Sequence, residues 1–506
     1  MATEQLATWA TNLQFSNLTA PVIAAAVASL YNWAGCAIGG FQQTAPQFAL
    51  NATAPHFGGP AAATILGLSN NSVRTDAQIA AFINGIAGHV DDYDDTHLQT
   101  IIHPAGTVAS ALFAVAEWKG GVNGSEFLTA FVAGVEAELK LGLSVWPQHY
   151  DVGWHDTSTT GSIGAAVAVS KLWVSTYRLC NRQLESLLHR SSVCRYTLEA
   201  IQRVSMSDGK YESFSYSDPT LTESRLFRTR ASQSGMLGAL LAQSGFTSSL
   251  QGLEGQFGWV HVVSTRENVT AEFDNLGKTY EILSNTFKPY ACGIVMHPAI
   301  QGAIEVQSAA LGKNLSISDI TKVEARVNPE VLVLTGQTDP QTGLEGKFSV
   351  FHGVAIGLLF ADASPQQFTD AVVTNSTVVA LRKLVNITTD PTVNTDEAFV
   401  SALFKDGTDV TQHIVHVIGS LDNPLSEAQL KTKFIGQAEL VLGSDRAEKA
   451  YEAFTNIGNM SDVSTLAQLF SGANDTANTS SSASSSSSSS GALGLDKDRG
   501  RDWFYL

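Results

Sequence analysis

The chain has 506 residues, enough to bury a large core and to form two domains. Its composition is globular, 44% hydrophobic and only 15% charged, and a formal net charge of -17 argues against nucleic acid, whose phosphate backbone needs a basic footprint. The four cysteines (Cys36, Cys180, Cys194, Cys292) show no metal spacing and read as reduced thiols of an intracellular protein.

The opening MATEQLATWATN has no basic n-region or apolar h-region, so no secretory signal is expected, and it lacks the arginine-rich helix of most transit peptides. No run of about 18 apolar residues is read in the chain, so no membrane span is expected. Residues 1–172 are rich in Ala, Gly, Leu and Ile at helical spacing, as in PVIAAAVASLYNWAGCAIGG, with short Gly, Pro and Asn breaks. That texture predicts a bundle of packed helices. Between two such runs, AQIAAFINGIAG and TVASALFAVAEW, lies HVDDYDDTHLQTIIHPAG at 89–106. Four aspartates (Asp91, Asp92, Asp94, Asp95) and three histidines (His89, His97, His103) fall there within fifteen positions. So much ionisable chemistry in an apolar frame predicts a cleft rather than a solvated charge run.

Residues 173–230 break the texture. They carry nine Lys/Arg and six Asp/Glu, a net of +3 that leaves -20 for the rest of the chain. The alanine-rich pattern stops abruptly and resumes at Ala231, as a shifted reading frame, a retained intron or a genuine insertion would produce. The run ASQSGMLGALLAQSGFTSSLQGLEGQ at 231–256 continues the helical character. From about 271 strand-like runs appear, TKVEARV at 321–327 and QHIVHVIG at 412–419, with the helical FSVFHGVAIGLLFA at 348–361 between them. After Pro424, LSEAQLKTKFIGQAEL reads as a helix with a polar first turn at Ser426 and Glu427. The serine-rich stretch that follows cannot bury a core, so 471–506 is expected to be a disordered tail. Its closing aromatics, Trp503, Phe504 and Tyr505, read as a frayed end or a peptide ligand.

Six pieces in a fixed order carry a family resemblance. They are DDYDDTHLQTIIHPAG (91–106), GWHDTSTTGSIGAAVA (153–168), SGMLGALLAQSGF (234–246), FKPYACGIVMHPAI (287–300), TGLEGKFSVFHGVAIGLL (342–359) and GSLDNPLSEAQLKTKF (419–434). Together they resemble the MmgE/PrpD family, which includes cis-aconitate decarboxylase and 2-methylcitrate dehydratase, over most of residues 1–470. The resemblance implies a mainly α fold: a large all-helical domain built from N- and C-terminal parts (1–270 and 423–470) and a smaller α+β lid domain (271–422). It also implies a homodimer, a small di- or tricarboxylate substrate, and neither metal nor organic cofactor.

Such a site must hold carboxylates and move a proton to or from carbon. Histidine suits the proton and lysine the carboxylates. By the resemblance, His103 in IIHPAG and His155 in GWHDTSTTG form the proton-transfer pair. His155 also precedes GSIGAAVAV, which reads as a helix start, so it and Asp156 could instead act as caps. Asp92 and Thr96 match positions that contact substrate or orient the histidines, and Lys288 in FKPYACG matches a substrate-binding lysine. Asp94 and Asp95 could cap the following helix, and Cys292 reads as a small packing residue. DDYDD also has the look of a magnesium-binding acidic motif, but the second downstream metal motif that chemistry needs is not found.

Two departures from the family pattern stand out. A family lysine before the helix matching Ala231–Phe246 is replaced by TESRLFRTR, where Arg228 or Arg230 would be the available cation. The spacing from Thr96 to His103 is one residue longer than in animal decarboxylases. The chain has DDTHLQTIIHPAG where 2-methylcitrate dehydratases carry a tryptophan-rich NDTW…EWGHPSD stretch. The expected activity is therefore decarboxylation of cis-aconitate or an alkyl-substituted relative to an itaconate-type product, in the cytoplasm or mitochondrion. An alkylcitrate dehydratase and a degenerate, inactive family member are the alternatives.

Overall fold

A helix that is apolar all round has to be surrounded, and α1 (Ala20–Gly40) is: every residue from Ser29 to Gly40 is buried. The computed structural model describes residues 1–56, 58–68, 74–180, 222–244, 246, 250–266 and 270–470, all within one compact unit, Met1–Gly472. Most of the anomalous stretch at 173–230, and the serine-rich tail, lie outside the described residues. Contrary to the sequence expectation, α1 is long and apolar enough to cross a membrane; 72% of its most apolar stretch is buried inside the chain.

Against α1 pack α2 (Ala77–His89), α3 (Pro104–Lys119) and α4 (Gly124–Val145), and on these in turn pack α5 (Asp156–Cys180) and α6 (Thr222–Gln243). Their starts follow local chemistry. Asp76 caps α2 by accepting from the Gln78 and Ile79 N–H groups, Asn123 caps α4, and Pro104 occupies the first position of α3, where its missing N–H does no harm. The helical character expected through 256 ends at Gln243, and α5 begins at Asp156, ahead of the small-residue run that seemed to start it.

Where α1 crosses α2 the backbones touch. A Cβ on Gly40 would stand 2.0 Å from the Ala87 carbonyl oxygen and 2.9 Å from Val90 Cγ1. Backbone cannot swing aside as a flexible side chain can. Gly40→Ala is expected to destabilise the fold by about 1–3 kcal/mol, read as a lower urea midpoint at unchanged slope. An unchanged midpoint would mean that this crossing is slack.

Two short strands, β1 (Asp95–His97) and β2 (Asn285–Phe287), pair antiparallel across 190 residues of sequence, with Thr96 opposite Thr286. Beyond them a four-stranded sheet forms from β3 (Ile320–Val327), β4 (Val385–Thr389), β5 (Ala398–Phe404) and β6 (Asp409–Ile414), in the order β4-β3-β5-β6. Only the β3–β4 pair is parallel. On β5 the residues Ala398, Val400, Ala402 and Phe404 are buried in alternation, facing α7 (His297–Gly312). Packed on α7, α8 (Val350–Phe360) completes a second apolar core. The strand expected at 412–419 ends at Ile414, because β5 starts at Ala398, opposite it, and offers no partner beyond. The chain turns instead, and the Val417 N–H donates to the Asp396 carbonyl.

The chain then returns to the helical core as α9 (Glu427–Leu442), opened by a capping box between Ser426 and Gln429. It lies along α1, where Gly35 leaves room for Phe434. N- and C-terminal segments thus share one apolar core, and the fold is mainly α.

Candidate active site

The acidic segment occupies the gap between α2 and α3. After His89 the chain turns through 90–94, runs as β1, and loops back to His103 at the head of α3. Two residues there take left-handed backbone conformations, Asp92 at φ 51° and Ile101 at φ 56°. For non-glycine residues this costs on the order of 1–3 kcal/mol each, so surrounding contacts must hold it. Pairing with β2 is one such restraint: it carries Lys288, the next residue, to Asp92.

The four aspartates do not converge. Asp91 accepts from Lys347 and Gln43, each at 2.9 Å. Asp92 is ion-paired with Lys288. Asp94 Oδ2 lies 2.7 Å from His89 Nδ1. Asp95 Oδ2 accepts from Asn285 Nδ2 at 2.6 Å and from the Ala105 N–H at 3.2 Å. Asp95 therefore does cap α3, while Asp94 turns to histidine. Four separate partners are not the layout of a shared magnesium site, which needs its carboxylates aimed at one point.

Their electrostatics differ accordingly. Burial opposes ionisation of Asp92, yet Lys288, with His89 and His103 beyond it, holds that carboxyl well below the usual range. Burial and the neighbouring Asp94 push Asp95 up to about 7. Asp156, at the start of α5, is raised to about 8 by burial and then by Asp151.

His103 is buried and tightly oriented. Its Nδ1 lies 2.6 Å from the Asp95 carbonyl oxygen, 3.3 Å from Thr96 Oγ1 and 3.4 Å from Asp94 Oδ1. A carbonyl only accepts, so Nδ1 carries the hydrogen and proton exchange falls to Nε2. The His103 backbone N–H donates to Thr157 Oγ1 at 3.1 Å, which ties this residue to the first turn of α5. His155 immediately precedes that turn and is half-buried. Its Nδ1 accepts from the Ser158 N–H at 3.3 Å, a capping contact. Asp92, Thr96, His103 and Lys288 thus meet in one buried cluster, and His155 stands two residues before Thr157, which ties the α5 terminus to His103.

Sequence reading passed over several neighbours. His89 shares Asp94 with His103, their rings 4.9 Å apart. Lys347 donates to the Val90 carbonyl at 3.1 Å as well as to Asp91. Lys433 on α9 is buried, donates to the Tyr93 carbonyl at 2.6 Å and the Lys288 carbonyl at 2.8 Å, and lies 4.0 Å over the Tyr93 ring. Burial lowers its ammonium to about 8. A signal existed for it: Leu430, Lys433, Phe434, Gln437 and Ala438 are the buried stripe of α9, and a lysine there must be paired. His297, at the start of α7, is pushed to about 3 by burial and by Lys288, so it is neutral. Cys292 is fully buried in the second core, its thiol pushed well above the ordinary value by burial and by Asp92, as suits packing. Arg230 is exposed, and the Arg228 side chain lies outside the described residues.

Among the described residues two groups could gather a cation by distance. One is His89, Asp94 and His103; the other is Asp396, His416 and Asp422 near the surface. In the first, the Nδ1 proton that His103 gives to the Asp95 carbonyl would have to be displaced.

Comparison with known proteins agrees across both cores. The family model of the MmgE/PrpD N-terminal domain matches residues 4–191, and that of the MmgE/PrpD C-terminal domain matches residues 290–458. A cis-aconitate decarboxylase-like protein of Aspergillus oryzae is 23% identical over 93% of this chain and 97% of its own length. The cis-aconitate decarboxylase of Aspergillus terreus is 21% identical over 93% of this chain and 96% of its own. The mouse cis-aconitate decarboxylase is 23% identical over 79% of each.

Proposed function

The chain belongs to the MmgE/PrpD family, and from that premise we propose that it is a lyase that decarboxylates cis-aconitate, or an alkyl-substituted relative, to an itaconate-type product. In that reaction the bond between a methylene carbon and its carboxylate breaks and carbon dioxide leaves. The released electron pair forms the new terminal methylene double bond. The pair of the old double bond moves to the far alkene carbon, which takes up one proton. The protein must therefore neutralise carboxylates and deliver a proton at carbon.

The observation that carries the reading is the buried meeting of Lys288, held by Asp92, with a histidine whose Nδ1 is fixed as a donor, so that proton exchange would fall to Nε2. In this proposal His103 Nε2 delivers the proton and Thr96 keeps the ring in place. Lys288 holds a substrate carboxylate. His155, backed by the Ser158 N–H, presents Nε2 from the α5 terminus as the second proton-transfer group. The proposal includes a homodimer in the cytoplasm or mitochondrion. Its support is the family resemblance and, for the compartment, the free buried thiols of Cys36 and Cys292.

The test is incubation of purified protein with cis-aconitate, citrate and 2-methylcitrate separately, with gas and products scored by mass. Carbon dioxide with an itaconate-mass product from cis-aconitate is the expected result. Gain or loss of water without carbon dioxide would replace the proposal with an alkylcitrate dehydratase. No reaction with any of the three would favour an inactive family member.

A further inference from the structure

We propose that Asp94, anchored from behind by His89, is a positioning residue that keeps His103 oriented and charged for proton delivery. The inference rests on the decarboxylase reading for its effect on turnover, but not for its effect on the titration of His103.

The geometry is specific. One carboxylate serves two buried rings: Oδ2 meets His89 Nδ1 at 2.7 Å and Oδ1 stands 3.4 Å from His103 Nδ1. The nearer acceptor for His103 is the Asp95 carbonyl, at 2.6 Å. That carbonyl orients the ring but is a neutral dipole. A full negative charge stands beside the ring in Asp94, and its attraction grows when His103 becomes imidazolium. The carboxylate is itself fixed, since Asp94 is buried and the His89 contact stops its rotation away. An acid at His103 needs this arrangement: the protein must favour the protonated ring before carbon dioxide leaves, then take the neutral ring back without reorganising.

Other charged groups face this pair from several elements. Asp92 is paired with Lys288 and also acts on His103. Asp95, raised towards neutrality, is faced by Glu138 of α4. From α9, Lys433 acts on both Asp94 and Asp95. Cys36 of α1 is held as a neutral thiol by burial. Asp94 is therefore the carboxylate that stands 3.4 Å from His103 Nδ1, while Asp92 is shared with Lys288.

The test uses the full chain labelled with 13C-histidine. The His103 resonance is assigned by its loss in His103→Gln and followed against pH in wild type and Asp94→Asn. Asparagine keeps the shape and removes the charge, so the His103 pKa is expected to fall by about one unit or more. An acid catalyst loses activity as pH rises through its pKa. The alkaline limb of kcat should therefore move to lower pH by the same amount, with kcat at neutral pH about tenfold lower and KM within about twofold. His89→Gln should lower kcat about threefold or more in the presence of Asp94 and have no further effect in Asp94→Asn.

An unchanged His103 titration in Asp94→Asn would overturn the proposal, as would additive effects of the two substitutions. Should Asp94→Asn fail to fold, His89→Gln alone still decides: a lower kcat at constant KM supports the arrangement, and an unchanged kcat refutes it. A shifted titration in a protein that turns over none of the three acids would leave the positioning role standing and remove the decarboxylase reading.

Discussion

His103→Gln should lower turnover by a factor on the order of a hundred or more while leaving the fold close to wild type. Glutamine can still donate to the Asp95 carbonyl, so the buried acceptor that His103 satisfies is not orphaned. What it cannot do is exchange a proton near neutral pH. The measurement is initial rate of product formation, by mass, beside a thermal melt of each protein. Loss of rate with an unchanged melt isolates proton transfer from packing. Turnover at the wild-type rate would place the proton on some other group, and His155 is the next in line. His155→Ala is expected to lower the rate by a similar factor. Its capping contact to Ser158 makes a stability loss of about 1 kcal/mol part of that variant, so the rate must be compared at full saturation of the folded state.

The elements that build the site were legible in sequence to the extent that they carry strong periodicity. α1, α2, α3, α8 and α9 coincide with apolar runs read directly from spacing, which predicted packed helices, while the mainly α class came with the family resemblance. Two strands of the sheet, β4 and β5, went unread. VNITT is short, exposed along much of its length and half polar, while AFVSALF, apolar nearly throughout, is ambiguous between strand and helix without its partners. The strand run at 412–419 was too long because an apolar run does not say where its neighbour begins. Asp92, Thr96, His103 and Lys288 could be named because they match positions of the family pattern, which residue type alone would not have singled out. His89 and Asp94 could not be assigned to each other, since which aspartate of DDYDD faces a histidine depends on the left-handed turn at Asp92. Lys433 is some 340 residues from Tyr93 in sequence, and only the return of α9 onto α1 brings it there.

Lys288→Ala is expected to be the most damaging single substitution for the fold at this site, and for a reason separable from catalysis. Lys288 and Asp92 are both buried, and the carboxyl is held well below its usual range chiefly by that ammonium once burial has been overcome. Removing the lysine leaves a charge with little else to balance it, at a residue whose backbone is already in the left-handed region. Breaking one side of such a pair costs about 3–5 kcal/mol, whereas replacing both sides by neutral groups of similar size is often close to neutral. The double variant Lys288→Met with Asp92→Asn should therefore recover most of the stability, helped by the tolerance of asparagine for a positive φ. It should not recover turnover, because methionine cannot hold a carboxylate of the substrate. Urea denaturation of the two singles and the double gives the coupling directly, and steady-state kinetics on the same proteins gives the function. If Lys288→Ala lost less than about 1 kcal/mol, Asp92 would have to be stabilised by something other than the lysine. If the double variant turned over at the wild-type rate, Lys288 would be a structural cation that fixes the end of β2 against the acidic loop, and the carboxylate of the substrate would have to be held by another cation.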